Sequence, residues 1–298
     1  MPSSLSIVGA GRVGRAVGSR LRALGWKIGV VVTRSETSAR HAVRIIGAGT
    51  ANAGIPRCIV CSRVILIATP DEAISSVADE LARVGGEELR GTTVLHTSGA
   101  LDTFVLKAVK AQGAATGSMH PLQSFSNVGV TPLEGRIFAI EGDAAAVKAA
   151  RQIVRTLGGA PVRISGGKRL LYHAAATLAA GHILALEEAA VRMMTESGMK
   201  RREAASALLS LTRQVLDNFE RLGPSAAWTG PLARADYNLV SAHAAAMEDF
   251  PPEFSQAYMA MNRLAARVLS TDPEDVLTEL SKLSVRNQPK AKAIGGKA

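Results

Sequence analysis

Through the first half of the chain, short apolar runs alternate with segments in which apolar residues return every three or four positions. The runs Leu5 to Gly11, Lys27 to Thr33, Arg63 to Thr69, Thr92 to Ser98, Ala114 to His120 and Arg136 to Gly142 read as strands, with Pro161 to Ser165 closing the series. Between them Val13, Val17, Leu21 and Leu24 fall on one helical face with Gly25 as a stop, and residues 72–84 and 144–157 carry the same period. Strands apolar on both faces, alternating with helices, predict a mostly parallel sheet covered on each side.

From Lys168 the pattern changes. The chain becomes helical and apolar nearly all round, through Ala174, Leu178, Ile183, Leu186 and Ala190. A helix apolar on every side is expected to be buried, here as the spine of a second, all-α domain. Further helices are predicted over 203–222, 236–248, 253–269 and 273–283, with breaks at Pro251 and at Ser270 to Asp275. The fold class is therefore α/β, a doubly wound sheet followed by an all-α domain. Its expected divisions are 1–165, 166–285 and a disordered basic tail over 286–298.

The charge of +10 suits an anionic ligand, but no nucleic-acid recognition motif accompanies it and part of it lies in the tail. No specific nucleic-acid partner is expected. No run is free of polar interruption for the ~20 residues a bilayer crossing needs, since His173, His182, Glu187 and Glu188 break the longest one. The strand-like start leaves no room for a signal peptide, so a cytoplasmic protein without a membrane partner is expected. Cys58 and Cys61 have the C-x-x-C spacing but no second pair, so no metal site is expected and both thiols are read as buried and inert.

Gly9-x-Gly11-x-x-Gly14, with Arg12 and Val13 inside it, sits between the first strand and the first helix. That is where a dinucleotide fingerprint belongs: glycines allow the turn, the approach of backbone to pyrophosphate and close helix–strand packing. The second strand ends in Thr33-Arg34-Ser35 rather than in an acid. Arg34 can pair with a 2′-phosphate while Thr33 and Ser35 donate hydrogen bonds to it, which favours NADP over NAD. Arg12 could add a second positive charge.

In such sheets ligands lie outside the carboxyl ends of the strands. Thr69-Pro70 suits the nicotinamide side, Ser98 supplies a hydroxyl, and His120-Pro121-Leu122-Gln123 brings an imidazole and an amide. His120 reads either as a proton shuttle or substrate donor, or as a histidine stabilising its turn; His96 reads as buried structure. Lys168 opens the long helix at the end where the macrodipole disfavours cations. It is either a lysine whose pKa is lowered for proton exchange or one that extends to water. At ~100° per residue Tyr172 shares its face, whereas His173 lies about 140° away and is expected to point elsewhere.

The segments "IVGAGRVGRAVGSRL", "ATPDEAI", "HTSGA", "HPLQSF", "GGKRLLYHAA" and "TGPLARAD", in this order, resemble a bacterial family of oxidoreductases. Its members join a Rossmann-like NADP-binding domain to a helical domain of unknown function. More distantly the layout is similar to β-hydroxyacid dehydrogenases, 6-phosphogluconate dehydrogenase and pyrroline-5-carboxylate reductase. The resemblance implies a 6-phosphogluconate dehydrogenase-like helical domain and NADP(H) as cofactor, with deazaflavin used by some distant relatives. It implies hydride transfer to or from a small carbonyl/hydroxy or imine/amine substrate. Lys168 falls on the general acid/base lysine of the β-hydroxyacid dehydrogenases, while Tyr172 stands where they carry asparagine. By likeness to the reductases the helical domain forms a homodimer and brings Thr229 and Arg234 towards substrate. A sensor that binds NADP(H) without turnover is the alternative.

Overall fold

The computed structural model describes residues 4–125, 129–165 and 167–286; of the tail, residues 287–298 lie outside the described residues. By contacts the chain divides into two compact units, 1–182 and 183–298.

The first unit alternates as expected: β1 (Ser4–Val8), α1 (Arg12–Ala23), β2 (Lys27–Val32), α2 (Glu36–Ile46), β3 (Thr50–Asn52), β4 (Val64–Ile67), α3 (Asp71–Gly85), β5 (Thr93–His96) and α4 (Lys107–Ala111). It continues with β6 (Ala115–Pro121), β7 (Ile137–Gly142), α5 (Ala144–Thr156), β8 (Ala160–Arg163) and α6 (Arg169–Thr177). The eight strands are ordered β3-β2-β1-β4-β5-β6-β7-β8. All neighbours are parallel except β6 and β7, where His120 pairs with Ala139 across an antiparallel ladder. The order reverses at β1 and β4, which places a ligand crevice outside their carboxyl ends. β3 was not anticipated: three residues next to Gly47 and Gly49 carry too little apolar pattern to register as a strand.

β4 illustrates why the sheet forms. Val64 and Leu66 enter one buried cluster, with Leu21, Phe138 and Ile153, while Ile65 and Ile67 enter the other, with Ile74, Leu81 and Val94. Successive side chains point to opposite faces, so an unbroken apolar run is what a sheet covered twice requires. Each such side chain, fully buried, contributes about 1.5–3 kcal/mol.

The second unit contains α7 (Ile183–Glu196), α8 (Arg201–Leu222), α9 (Pro224–Ala227), α10 (Tyr237–Ala245), α11 (Pro252–Leu269) and α12 (Pro273–Arg286). Leu232, Val240, Ala266, Leu280 and Leu283 form its small core. A π turn, Leu178–His182, separates α6 from α7 in one continuous helical run.

The expectation that this run is buried does not hold for the single chain. Leu171 in α6 and Leu184 in α7 are each 71% exposed, and Leu216 and Phe219 of α8 are exposed too. Apolar patterning marks a face that water disfavours; it does not show that the chain itself covers that face. By length and composition alone Arg169–Glu196 is long and apolar enough to cross a bilayer, in spite of the polar residues expected to interrupt it. The acids that interrupt α7 are accommodated by partners, Glu187 by the Thr212 hydroxyl and Glu188 by Arg192 and Arg201.

Candidate active site

The glycine turn has the form its sequence implies. Gly9 has φ +88°, and a Cβ there would lie 2.6 Å from the Thr69 backbone nitrogen, so only glycine fits. A Cβ on Gly14 would come within 2.6 Å of the Gly9 carbonyl oxygen. Gly11, the N-cap of α1, faces open space, with no atom within 4 Å of where its Cβ would be. The free N–H groups of α1 thus open on a cleft of about 800 Å³ lined by Gly9, Gly11, Thr33, Arg34, Thr69 and Pro70. Thr69 lines this cleft, and its hydroxyl oxygen is buried without a hydrogen-bond partner. A backbone cradle, an unsatisfied hydroxyl and an exposed arginine fit a dinucleotide bearing a 2′-phosphate.

Other residues expected here do different things. The Thr33 hydroxyl donates to the Ser35 carbonyl oxygen at 2.8 Å, and the Ser35 hydroxyl caps α2 by accepting from the Ser38 N–H. Val13 packs its side chain against the core. The Arg12 guanidinium reaches the Phe125 carbonyl oxygen, 3.0 Å away, and Arg15, Thr37, Ser38 and His41 line the cleft. Those four were missed, although each follows the glycine turn or Arg34 by no more than about two helical turns, the one available signal.

A second cluster adjoins the cleft wall through Asp71, the residue after Pro70. The Ser98 hydroxyl donates to Asp71 Oδ2 at 2.7 Å and accepts from the N–H groups of Ala100 and Leu101. One proton and two lone pairs are thereby engaged, so Ser98, expected to hold substrate, holds its own turn. Gln123, also expected at substrate, donates to the Ser124 carbonyl oxygen.

His120, on the last turn-ward part of β6, has Nδ1 2.8 Å from the Tyr172 hydroxyl, and their rings meet edge to face. His173 lies against them, its ring centre 6.1 Å from that of His120 and its Cδ2 beside Gly99. The expectation that His173 points away is corrected: two faces of α6 meet β6 and the turn after β5. Lys168, the N-cap of α6, is exposed rather than enclosed.

Its neighbour takes the buried place. Arg169 is 2% exposed, with Nη1 donating to Ser118 Oγ at 2.7 Å and to Glu141 Oε2 at 3.3 Å, and Nη2 donating to the Ser98 carbonyl oxygen at 2.6 Å. It fastens α6 to β6, to β7 and to the turn after β5 at once. Sequence reading passed over it, because nothing in a Lys-Arg pair says which of the two turns inward.

Burial, reinforced by Arg169 and then by His173, pushes the His120 pKa down to about 4, and burial raises that of the Tyr172 phenol. Both are neutral near pH 7. His96, buried beneath them, is pushed to about 3 by desolvation first and Arg169 second; its Nδ1 accepts from the Ser98 N–H. Thr229 and Arg234 lie exposed in the second unit. Among the described residues no group of three or more His, Cys, Asp or Glu could hold a metal ion.

A glycine-turn α/β sheet and a helical unit define the class of protein, a Rossmann-like domain followed by a helical domain. Residues 2–121 match the Rossmann-like domain and residues 136–265 match DUF2520, a domain of unknown function. The chain joins these two domains, as the sequence resemblance implied. No curated protein matches it in sequence.

Solved structures share the fold over nearly all of both chains. A Bacteroides fragilis protein assigned as an NADP oxidoreductase is 20% identical, with TM-score 0.72, over 88% of this chain and 97% of that one. Protein TM1727 of Thermotoga maritima is 24% identical, with TM-score 0.65, over 95% and 99%. A reductive aminase of Aspergillus terreus, in complex with NADPH and ethyl-5-oxohexanoate, is 17% identical, with TM-score 0.67, over 90% and 94%.

Proposed function

We propose that the protein is an NADP(H)-dependent oxidoreductase acting on a small carbonyl or imine. The observation that carries this reading is the cleft: Gly11 at its open floor, an unsatisfied Thr69 hydroxyl and Arg34 on its rim. The NADP oxidoreductase assignment and the NADPH complex among the structural neighbours support it. The Gly11 turn and the N-terminus of α1 would hold the pyrophosphate, and Arg34 with Ser38 the 2′-phosphate. Bound nicotinamide would supply the hydride.

The chain's own part is to supply or remove a proton. With Nδ1 protonated, neutral His120 donates to Tyr172 and leaves the phenol hydrogen free for a substrate oxygen or nitrogen. As Tyr172 gives up that hydrogen, His120 replaces it from Nδ1 and takes a proton from water at Nε2, changing tautomer but not charge. Lys168, exposed at the start of the same helix, serves to attract an anionic substrate rather than to exchange the proton.

Titration with NADPH and NADH, followed by nicotinamide fluorescence, tests the reading. NADPH should bind more tightly, and Arg34→Ala should weaken NADPH by about 10–100-fold, the worth of a hydrogen-bonded charge, and leave NADH unchanged. If neither nucleotide binds, the proposal fails. Binding without turnover on small carbonyls and imines would leave the sensor reading.

The uncovered leucines of α7 and α8 support a homodimer through the helical unit. A second copy suits this surface better than lipid, because the Glu188 cluster with Arg192 and Arg201 lies among them and would be costly in hydrocarbon. Light scattering should give twice the chain mass, and Leu216→Asp with Phe219→Asp should give monomers.

A further inference from the structure

The C-x-x-C pair does not lie where sequence placed it. Cys58 and Cys61 are both free and both exposed, on a 3-10 turn spanning Arg57–Cys61. The expectation of buried, inert thiols fails because the apolar residue of this segment that turns inward is Ile59, which is fully buried. A 3-10 helix has three residues per turn, so positions i and i+3 stand one above the other on one face. Ile59 between them points into the sheet unit, and the two sulfurs share the outward side.

The turn is pinned around them. The Ile59 N–H donates to the Pro56 carbonyl oxygen and the Ser62 N–H to the Ile59 carbonyl oxygen. Ser62 is buried with its hydroxyl 2.8 Å from that of Ser6, and Arg57 is ion-paired with Glu88. Three rises of ~2 Å separate the two Cα atoms by about 6 Å. A disulfide spans Cα distances of roughly 4.4–6.8 Å, so tightening within this one turn is enough to join the sulfurs.

We propose that Cys58 and Cys61 are a reversible dithiol–disulfide site, oxidised by small-molecule disulfides of the glutathione class. One cysteine thiolate attacks the S–S bond of the oxidant, forming a mixed disulfide and releasing one thiol. The second cysteine thiolate then attacks the protein-side sulfur of that mixed disulfide and expels the other thiol. Two protein thiols are oxidised to one disulfide, one small disulfide is reduced to two thiols, and the two protons pass to the departing thiolates. The site is independent of the nucleotide cleft and of the function proposed for it.

The experiment is treatment of the full-length protein with excess oxidised glutathione, followed by intact-mass measurement and thiol titration. The wild type should become lighter by two hydrogen atoms, lose both titratable thiols and retain no glutathione, and dithiothreitol should restore both. Cys58→Ser and Cys61→Ser should each retain one glutathione, since neither can resolve the mixed disulfide. A wild type that keeps bound glutathione, stays unmodified, or instead links to a second chain through its cysteines overturns the proposal.

Discussion

The Tyr172 hydroxyl and His120 Nδ1, 2.8 Å apart, join the first turns of a helix to the end of a strand 52 residues earlier. Tyr172→Phe removes one member of a half-buried hydrogen bond and leaves the imidazole nitrogen without its partner. Unfolding in denaturant should register a loss of about 1 kcal/mol. Affinity for NADPH should not change, because Tyr172 does not line the cleft.

Arg169 is the larger structural commitment. Arg169→Met leaves Glu141 and two oxygen acceptors facing apolar atoms, and breaking a buried pair in this way costs roughly 3–5 kcal/mol. Arg169→Lys should recover only part of that, since an ammonium holds its donors on one nitrogen and cannot span acceptors spread around a planar guanidinium. Denaturation midpoints of the two variants check this, with Lys falling between Met and wild type.

Gly9→Ala forces a side chain into a left-handed backbone and against the Thr69 nitrogen, 2.6 Å away. The conformational part alone is worth roughly 1–3 kcal/mol. A lower melting temperature together with loss of NADPH binding is expected, whereas Gly11→Ala, which meets nothing within 4 Å, should lower binding alone.

Acid should destabilise the sheet unit through its histidines. In the unfolded chain His96 and His120 titrate near ~6.5, but in the folded chain near about 3 and about 4. Between those values the unfolded state binds more protons, so the stabilisation is complete above pH ~6.5 and is lost as pH falls towards the folded values. Melting temperature measured from pH 7 down to 4 should fall throughout, and His120→Asn should flatten the curve.

The strands were legible because both faces of the sheet are buried and the apolar runs are therefore unbroken; Val64 to Ile67 could be little else. The glycine turn was legible because three glycines sit at a strand–helix junction. What could not be read were choices between neighbours. Lys168 and Arg169 are adjacent cations, and only packing against Ser118 and Glu141 decides which is buried. Tyr172 and His173 are adjacent rings, and both meet His120 of β6 because α6 presents two faces there. The leucines of α7 are apolar as the period implies yet exposed in this chain, since periodicity carries no information about what packs against a face.

Along β6, Ser118 and His120 are two residues apart, and along α6 their partners Arg169 and Tyr172 are three apart. A strand advances about 6.6 Å over that interval and a helix about 4.5 Å, so the two ladders match at these rungs within the reach of a side chain. This imposes a frame on evolutionary change. A residue inserted between Arg169 and Tyr172 would swing the phenol by ~100° away from the imidazole, whereas one inserted after Thr177 would leave every rung in place. Length variation in this stretch of the chain should therefore accumulate downstream of Thr177 and be purged upstream of Tyr172.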